Sequence, residues 1–335
     1  MTGRVAVVGA GSWGTALANL LAKKGVETIL WSYEGDVAES IQRKGRNPRY
    51  LSEAELDPRL EATDSIAEAV AGASKVVSVS PSHVVREVMT QVAEHLEAGA
   101  LVVSASKGIE VETLAMMDAV LSSVLPASSA QRLAFLSGPS FALEVANEFP
   151  TAVTMASRSS EVAAEAQELF QTDYFRVYTN HDVTGVELGG ALKNVIAIAS
   201  GVVAGLGYGH NTRAALITRG LAEMTRLGTA LGAEPLTLAG LAGMGDLILT
   251  CTGDLSRNRS VGVALGRGRS IDAILGEMTM VAEGVRTTRS ARELARRHDV
   301  EMPIIEEVHA MLFEGRAARV AVENVMLREP KSERW

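Results

Sequence analysis

The stretch Arg4-Val-Ala-Val-Val-Gly-Ala-Gly-Ser-Trp-Gly14 decides the fold of this chain. Its opening apolar residues predict a short buried strand, and residues 15–24 predict a helix. The Gly-x-Gly-x-x-Gly pattern between them is weak alone, but between a strand and a helix it is typical of a dinucleotide-binding turn. Gly9 would permit the tight turn, Gly11 would let a diphosphate approach the backbone, and Gly14 would let helix and strand pack closely. A glycine-rich turn without a ligand is the alternative.

The same alternation of strand and helix continues through the N-terminal half. Further apolar strands are predicted at Glu27–Trp31, Lys75–Val79, Ala100–Ser104, Arg132–Ser137, Ala152–Ala156 and Phe175–Tyr178. Apolar strands that alternate with helices predict a parallel sheet covered on both faces. We therefore expect an α/β protein whose residues 1–181 form a Rossmann-type, doubly wound, mostly parallel sheet that binds a dinucleotide.

From about Asp182 the strand patterns give way to helices. A long helix is predicted to begin there, and further helices are predicted at 212–231, 258–265, 286–297, 303–313 and 317–327. We expect residues 182–335 to form an all-α domain that holds the substrate.

Small residues recur every four positions along the first of these helices. Lys193 lies in this stripe, which otherwise contains Gly189, Ala197, Gly201 and Gly205. Small side chains let another backbone or a ligand come close, and a lysine in such a seam is costly to bury without a reason. A lysine that extends to the surface is the alternative.

Composition and charge argue against several classes of protein and of binding site. The chain has 335 residues, a net charge of -8 and a pI near 5.4, which argues against a nucleic-acid partner. The uncharged stretch 194–209 is short for a membrane span, so we expect no membrane insertion. Cys251 is the single cysteine, which fits a reducing compartment, and it is interpreted as a small buried hydrophobe. The scattered histidines predict no metal site.

Three loops follow predicted strands, at the edge where open α/β sheets bind ligands. They are Ser78-Val-Ser-Pro-Ser82, Ser104-Ala-Ser-Lys-Gly108 and Ser137-Gly-Pro-Ser-Phe141. Lys107 would place a cation in the crevice, and an exposed lysine is the alternative. Gly138 and Ser140 could offer hydrogen-bond donors, although an ordinary helix start that contains proline is also consistent.

The end of the second strand, Trp31-Ser-Tyr-Glu34, is where such a fold contacts the adenosine ribose. Glu34 is a candidate ribose ligand, although it lies slightly late and also suits the first turn of a helix. Tyr33 could stack on the cofactor or hydrogen-bond to it. An acidic residue here favours NAD and a basic one favours NADP, and the pattern leaves this preference open.

The run from Gly243 to Arg259 predicts an anion site. Asp246 follows a predicted Gly-Met-Gly turn, and Ser256, Arg257 and Asn258 stand at the predicted start of a helix. Serine caps helices well, the first N–H groups of a helix attract anions, and the arginine fork matches phosphate oxygens. A capped surface helix after a glycine-rich turn is the alternative.

Eight motifs in order carry a family resemblance. They are Gly-Ala-Gly-Ser-Trp-Gly at 9–14, Ser-Lys-Gly at 106–108, Ser-Gly-Pro-Ser-Phe-Ala at 137–142, Leu-Lys-Asn at 192–194, Arg-Ala-Ala-Leu-Ile-Thr-Arg-Gly at 213–220, Gly-Asp-Leu at 245–247, Ser-Arg-Asn-Arg at 256–259 and Val-Ala-Glu-Gly at 281–284. With them the chain resembles the bacterial NAD(P)-dependent sn-glycerol-3-phosphate dehydrogenases, from Gly9 to about Leu327. Each motif alone is unspecific, whereas the ordered set is highly specific.

This resemblance implies a role for each matching residue. The expected cofactor contacts, including the glycine-rich turn, are Gly9, Gly11, Ser12, Trp13, Gly14, Tyr33, Lys107, Ala142, Arg257, Val281 and Glu283. The expected substrate contacts are Lys107, Gly138, Ser140, Lys193, Asp246, Ser256, Arg257 and Asn258. Lys193 would be the general acid/base. Many members carry arginine where this chain has Tyr33, so NAD(H) and NADP(H) both remain candidate cofactors.

The implied reaction is reduction of dihydroxyacetone phosphate to sn-glycerol 3-phosphate, for phospholipid synthesis, by a cytoplasmic homodimer. The cofactor would give a hydride to C2, and Lys193 would give a proton to the oxygen. Lys107 would lower the pKa of Lys193 by charge repulsion. Two alternatives are a two-domain dehydrogenase for another hydroxy acid and a non-catalytic nicotinamide-sensing module.

Overall fold

The computed structural model describes residues 3–278, 280, 282–330 and 332–333. An eight-stranded sheet with the order β3-β2-β1-β4-β5-β6-β7-β8 forms its N-terminal part. The strands are β1 (Arg4–Val8), β2 (Thr28–Trp31), β3 (Glu61–Thr63), β4 (Ala73–Ser78), β5 (Leu101–Ser104), β6 (Leu133–Ser137), β7 (Thr151–Ala156) and β8 (Phe175–Asn180). Only the β6–β7 pair is antiparallel among these neighbours. The predicted fold class, a mostly parallel sheet followed by helices, is confirmed.

Helices cover both faces of the sheet. They are α1 (Ser12–Lys23), α2 (Gly35–Lys44), α3 (Ile66–Val70), α4 (Val85–Ala93), α5 (Met117–Val124), α6 (Ala127–Ala130), α7 (Ala142–Ala146) and α8 (Ser160–Phe170), with a short 3-10 turn at Ser82–Val84. Alternate residues of β1 enter opposite cores, Val5 and Val7 on one face and Ala6 and Val8 on the other. The strand order reverses between β1 and β4, so a crevice opens at their carboxyl ends.

The described residues of the C-terminal part form helices joined by short loops, with no strand among them. Its helices are α9 (Val183–Gly205), α10 (His210–Ala230), α11 (Pro235–Leu238), α12 (Asp246–Thr252), α13 (Arg257–Gly266), α14 (Ile271–Glu277), α15 (Glu283–Arg297), α16 (Pro303–Phe313) and α17 (Ala318–Met326). The small-residue stripe of α9 receives α13. A Cβ at Gly201 would lie 2.1 Å from the Arg259 carbonyl oxygen, and one at Gly205 would lie 2.4 Å from that of Val263. Glycine is required there because two backbones pass so closely.

The two parts of the chain share side chains. Ile109 and Leu114 lie in the loop after β5, yet both pack in the hydrophobic core of the helical part. The Ser290 hydroxyl donates to the Ile109 carbonyl oxygen at 3.1 Å. We propose a domain boundary between residues 181 and 182, where β8 gives way to α9, with the β5 loop as an arm that crosses it.

Several details differ from the sequence predictions, which also lack the short helices α11, α12 and α14. The strand β3 was not predicted, because three residues at the edge of a sheet are too short to show a period. The predicted Gly-Met-Gly turn is wrong: Leu241–Gly245 forms one π-helical turn that continues directly into α12. A Cβ at Gly243 would lie 2.0 Å from the Leu238 carbonyl oxygen, so this glycine serves close backbone packing rather than a chain reversal.

Within the described part of the chain, two segments are long and apolar enough to cross a membrane by length and composition. They are Val183–Gly205, whose apolar 18-residue window is 89% buried within the protein, and Pro235–Thr252, whose window is 44% buried. The first is the central helix α9, so its apolar character is explained by the core that surrounds it.

A buried carboxylate in α10 should make the folding stability depend on pH. Glu223 of α10 is 3% exposed and accepts hydrogen bonds from the N–H groups of Ile304 (2.8 Å) and Ile305 (3.3 Å). Burial raises the pKa of Glu223 from 4.5 to about 7. The folded chain therefore holds a proton that the unfolded chain releases, and its stability declines as pH rises through this interval. We expect Glu223→Gln to flatten the fall of Tm across this interval, as measured by thermal melts; an unchanged slope would contradict this.

Candidate functional site

The glycine-rich turn after β1 forms one wall of the crevice. Gly9 has φ +121°, and a Cβ there would lie 3.0 Å from the backbone of Val79 and Ser80. A Cβ at Gly14 would lie 1.8 Å from the Gly9 carbonyl oxygen, whereas one at Gly11 would meet only open space. Packing therefore requires Gly9 and Gly14, and Gly11 leaves its backbone open to the crevice. With α1 beginning at Ser12, the turn presents a helix N-terminus that suits a diphosphate.

A buried carboxylate between two lysines forms the centre of the site. Asp246, the first residue of α12, is 1% exposed. Its Oδ2 accepts a hydrogen bond from Lys107 Nζ at 2.8 Å, and its Oδ1 accepts one from Lys193 Nζ. Lys193 also donates to the Thr250 hydroxyl at 3.1 Å. Three segments distant in sequence, the β5 loop, α9 and α12, thus converge on one carboxylate.

The surroundings of Lys193 lower the pKa of its ammonium group. Lys193 is 7% exposed, and burial is the main cause that lowers its pKa to about 7, with a smaller contribution from the Lys107 charge. The Asp246 carboxylate opposes both effects. Burial alone would raise the pKa of Asp246, but the two lysines outweigh it and hold that pKa below its usual value. The pKa of Lys193 is thus lowered as predicted, but the main cause is burial and not the predicted repulsion by Lys107.

The predicted anion site lies at the start of α13. Ser256 caps this helix, and its hydroxyl accepts a hydrogen bond from the Arg259 N–H at 3.2 Å. Arg257 stands exposed in the first turn, where its charge interacts with that of Glu283. Glu283 in turn accepts hydrogen bonds from the Ser82 hydroxyl (2.7 Å) and N–H (3.3 Å). A basic side chain at a helix N-terminus therefore faces the loop that follows β4.

The Asn258 side chain is held by the protein itself. Its Nδ2 donates to Asn194 Oδ1 at 3.0 Å, and its Oδ1 accepts from the Gly284 N–H at 2.9 Å. This amide therefore joins α9, α13 and α15 beside Lys193. We propose that any substrate contact of Asn258 uses its backbone N–H in the first turn of α13 rather than its side chain.

The comparisons with known proteins agree with this geometry. Family models for the N-terminus and the C-terminus of NAD-dependent glycerol-3-phosphate dehydrogenase match residues 4–163 and 182–323. The chain belongs to the NAD-dependent glycerol-3-phosphate dehydrogenase family. This confirms the family predicted from the ordered motifs.

Individual relatives cover the whole chain. A "Glycerol-3-phosphate dehydrogenase [NAD(P)+]" of Citrifermentans bemidjiense is 59% identical over 333 residues, 99% of each chain. One of Geobacter sulfurreducens is 58% identical over 335 residues, 100% of each chain. The crystal structure of a glycerol-3-phosphate dehydrogenase from Coxiella burnetii is 40% identical, with a TM-score of 0.93 over 98% of this chain and 99% of that one.

The remaining residues that the dehydrogenase resemblance assigned lie around this crevice or outside the described residues. The Ser140 hydroxyl donates to the Gly138 carbonyl oxygen at 3.0 Å, and Ala142 begins α7. Ser12 and Trp13 form the first turn of α1. Tyr33 lies just beyond β2 and is 83% exposed. Val281 lies outside the described residues. The cofactor and substrate roles of all these residues remain predictions.

Three features at the dehydrogenase site were not assigned from the sequence. Thr250 contacts Lys193, and its position four residues after Asp246 on one helix face was an available signal. Ser82, in the loop after β4, binds Glu283, a contact for which its position in the sequence gave no signal. Tyr50 and Arg49 reach Glu34, the N-cap residue of α2: the Tyr50 hydroxyl donates to Glu34 Oε1 at 2.5 Å, and the Arg49 guanidinium lies 3.7 Å from it. No local pattern pointed to this last contact.

Cysteine and metal chemistry add little to the dehydrogenase site. Cys251 is fully buried, and burial raises the pKa of its thiol to about 12, which supports its interpretation as a small hydrophobe. Among the described residues, no group of three or more His, Cys, Asp or Glu side chains could hold a metal ion.

Proposed function

We propose that this protein catalyses the reversible NAD(P)H-dependent reduction of dihydroxyacetone phosphate to sn-glycerol 3-phosphate. Its family membership makes it an NAD(P)-dependent oxidoreductase that acts on a CH–OH group. The observation that carries the proposal is the buried Lys107–Asp246–Lys193 cluster, and the glycine-rich turn after β1 and the capped helix start at Ser256 support it.

The residues of the crevice fit a nicotinamide dinucleotide. The open space before Gly11 and the N-terminus of α1 suit its diphosphate, and Glu34 at the end of β2 suits a ribose hydroxyl. When bound, the cofactor supplies the hydride that is transferred to or from C2. All other steps depend on side chains of this chain.

Lys193 holds the proton that the reaction exchanges. With a pKa near 7, both its ammonium and its amine are populated at neutral pH, so Lys193 can donate in reduction and accept in oxidation. Asp246 fixes the position of the Lys193 ammonium, and it does the same for Lys107 at the other side. Lys107 also adds positive charge beside the oxygen that becomes an alkoxide in reduction.

A phosphate group on the substrate accounts for the second anion site. Ser256 and Arg257 at the start of α13 can bind a dianion that does not take part in the chemistry. Binding energy from this remote group can orient C2 toward Lys193. The Asn194–Asn258 hydrogen bond ties the start of α13 to α9, so the anion site and the acid/base lysine keep a fixed separation.

Steady-state oxidation of NADH and NADPH against a panel of keto compounds tests this proposal. We expect rapid turnover with dihydroxyacetone phosphate, and little with dihydroxyacetone or 2-keto acids, because these lack the phosphate. Preference for a 2-keto acid would make the protein a dehydrogenase of another hydroxy acid. Cofactor binding without turnover on any compound would favour a sensing module.

The charge of Glu34 should influence the preference for NADH over NADPH. Its carboxylate repels a 2′-phosphate, and it also holds the nearby Arg49 guanidinium. We expect Glu34→Gln to lower the ratio of the KM for NADPH to the KM for NADH about tenfold. Glu39→Gln, one turn further along α2 and paired with Arg43, is the matched control and should leave the ratio unchanged. An equal ratio in all three proteins would exclude Glu34 from ribose recognition.

The cellular setting is part of the same proposal. We propose that the product supplies glycerophospholipid synthesis from the cytoplasm, without nucleic acid or membrane insertion. The net charge of -8 supports the absence of a nucleic-acid partner. We also propose a homodimer, the assembly that the family resemblance implies. Light scattering of the purified protein would measure this directly.

A further inference from the structure

Asn47 is a fully buried side chain whose contacts lead to the glycine-rich turn. It lies in the loop after α2 and is 0% exposed. Its Nδ2 donates to the Ala10 carbonyl oxygen and to the Thr15 hydroxyl, both at 2.8 Å. Its Oδ1 accepts a hydrogen bond from the Tyr50 N–H at 3.0 Å. The hydrogen-bonding groups of this amide are thus all used within the protein. Its two acceptors are Ala10 in the glycine-rich turn and Thr15 in α1.

The Ala10 carbonyl controls the direction of the next N–H group. Ala10 C=O and Gly11 N–H belong to one peptide unit, which is planar and trans, so they point in opposite directions. The carbonyl is held by Asn47 at 2.8 Å and by the Thr15 hydroxyl at 3.2 Å. The Gly11 N–H therefore points away from Asn47, on a residue that has open space before it.

We propose that Asn47 is a positioning residue for the cofactor: it orients the peptide unit between Ala10 and Gly11 so that the Gly11 N–H meets the diphosphate. This inference rests on the dinucleotide site of the proposed function. Asn47 does not itself touch the cofactor. Without the amide, this peptide unit can rotate, and a donor to a charged oxygen is lost or weakened.

The same loop connects the diphosphate turn with the adenosine-ribose end of the site. Tyr50, whose N–H is held by Asn47, places its hydroxyl on Glu34. One short segment thereby fixes both the peptide that faces the diphosphate and the carboxylate at the end of β2. A loop that served only to fill space would not need to reach both points.

The test compares two buried asparagines that hold the same region. Asn19 of α1 is 1% exposed, and its Oδ1 accepts from the Asp57 N–H at 2.7 Å, but it makes no contact with Ala10. Asn47→Ala and Asn19→Ala should both destabilise the protein, Asn47→Ala more, because it loses three side-chain hydrogen bonds and Asn19→Ala loses one. We expect only Asn47→Ala to raise the Kd for NADH, about tenfold, as measured by fluorescence titration. The kcat at saturating cofactor and the KM for dihydroxyacetone phosphate should stay within about twofold.

Competition against NADH locates the effect on the cofactor. ADP carries the diphosphate and adenosine does not. Asn47→Ala should therefore weaken the binding of ADP and leave the binding of adenosine unchanged. Thr15→Val removes the second donor to the Ala10 carbonyl while keeping the shape of the side chain. It should also raise the Kd for NADH, by a smaller factor than Asn47→Ala does. This variant keeps the test available if Asn47→Ala does not fold.

Equal losses of NADH affinity in Asn47→Ala and Asn19→Ala would overturn the inference, as would equal weakening of ADP and adenosine. Failure of the wild-type protein to bind NADH would instead overturn the proposed function. The two failures are therefore distinguishable in one set of titrations.

Discussion

Replacing Lys193 by alanine is expected to lower kcat for dihydroxyacetone phosphate reduction about a thousandfold. General acid/base groups contribute factors of this order, and Lys193 is the buried lysine that Asp246 and Thr250 hold in place. The Kd for NADH should change little, because the dinucleotide turn lies on a different element. Stopped-flow turnover and fluorescence titration measure the two quantities separately.

The matched control is Lys75→Ala. Lys75 of β4 has a side chain that is 12% exposed and pairs with Glu165 at 3.6 Å, away from the crevice. Loss of this pair removes a shielded lysine without removing the acid/base group. If Lys193→Ala keeps a substantial kcat, Lys193 is not the general acid/base. If Lys75→Ala loses as much kcat as Lys193→Ala, the loss reflects reduced protein stability.

Replacing Arg257 by alanine is expected to raise the KM for dihydroxyacetone phosphate about a hundredfold. A guanidinium at the start of α13 can bind two phosphate oxygens, and such charged hydrogen bonds are among the stronger ones in proteins. The kcat should fall much less than in Lys193→Ala, because the phosphate does not take part in hydride or proton transfer.

Dihydroxyacetone serves as the internal comparison for Arg257, since it lacks the phosphate. The low kcat/KM for this compound should be similar in the wild type and in Arg257→Ala. Arg267→Ala, at the C-cap of the same helix, removes an exposed arginine from the far end and should change neither value. An unchanged KM for dihydroxyacetone phosphate in Arg257→Ala would show that another group binds the phosphate.

The fold could be predicted because its determinants are local. Strands such as β1 and β2 are continuous apolar runs, and the turn at Gly9–Gly14 stands where strand and helix patterns meet. The short edge strand β3 has no such signal. The π-helical turn before Asp246 was missed because glycines usually indicate a turn, whereas here Gly243 is required by the Leu238 carbonyl that packs against it.

The site could be predicted only where a residue type and its helix position suffice. Lys193 stood out as a lysine among small residues, and Ser256 as a helix cap. The lowered pKa of Lys193 could be expected in direction, but its main cause, burial, required the packing of α9 to be known. The use of the Asn258 side chain between three helices also depended on tertiary structure.

The contacts of Asn47 and Tyr50 are the clearest example of what could not be predicted from the sequence. Both residues lie in an irregular loop, and their partners Ala10 and Glu34 are distant in sequence. Polar residues in loops are common, so nothing local distinguishes a structural amide from an exposed one. Only the folded chain shows that this loop supports the dinucleotide turn.

The pH dependence of kcat/KM in both reaction directions tests the central claim, that Lys193 exchanges the proton. Reduction needs the Lys193 ammonium and oxidation needs its amine, so the two profiles should have limbs of opposite sign that cross near pH 7. Because the net reaction consumes a proton, the ratio of the two kcat/KM values falls with pH whichever group exchanges it, and the pH at which each profile changes slope identifies the group. We predict that reduction is level below pH 7 and falls above it, that oxidation rises up to pH 7 and is level above it, and that both changes of slope near 7 are lost in Lys193→Ala; changes of slope that persist in Lys193→Ala would contradict the account.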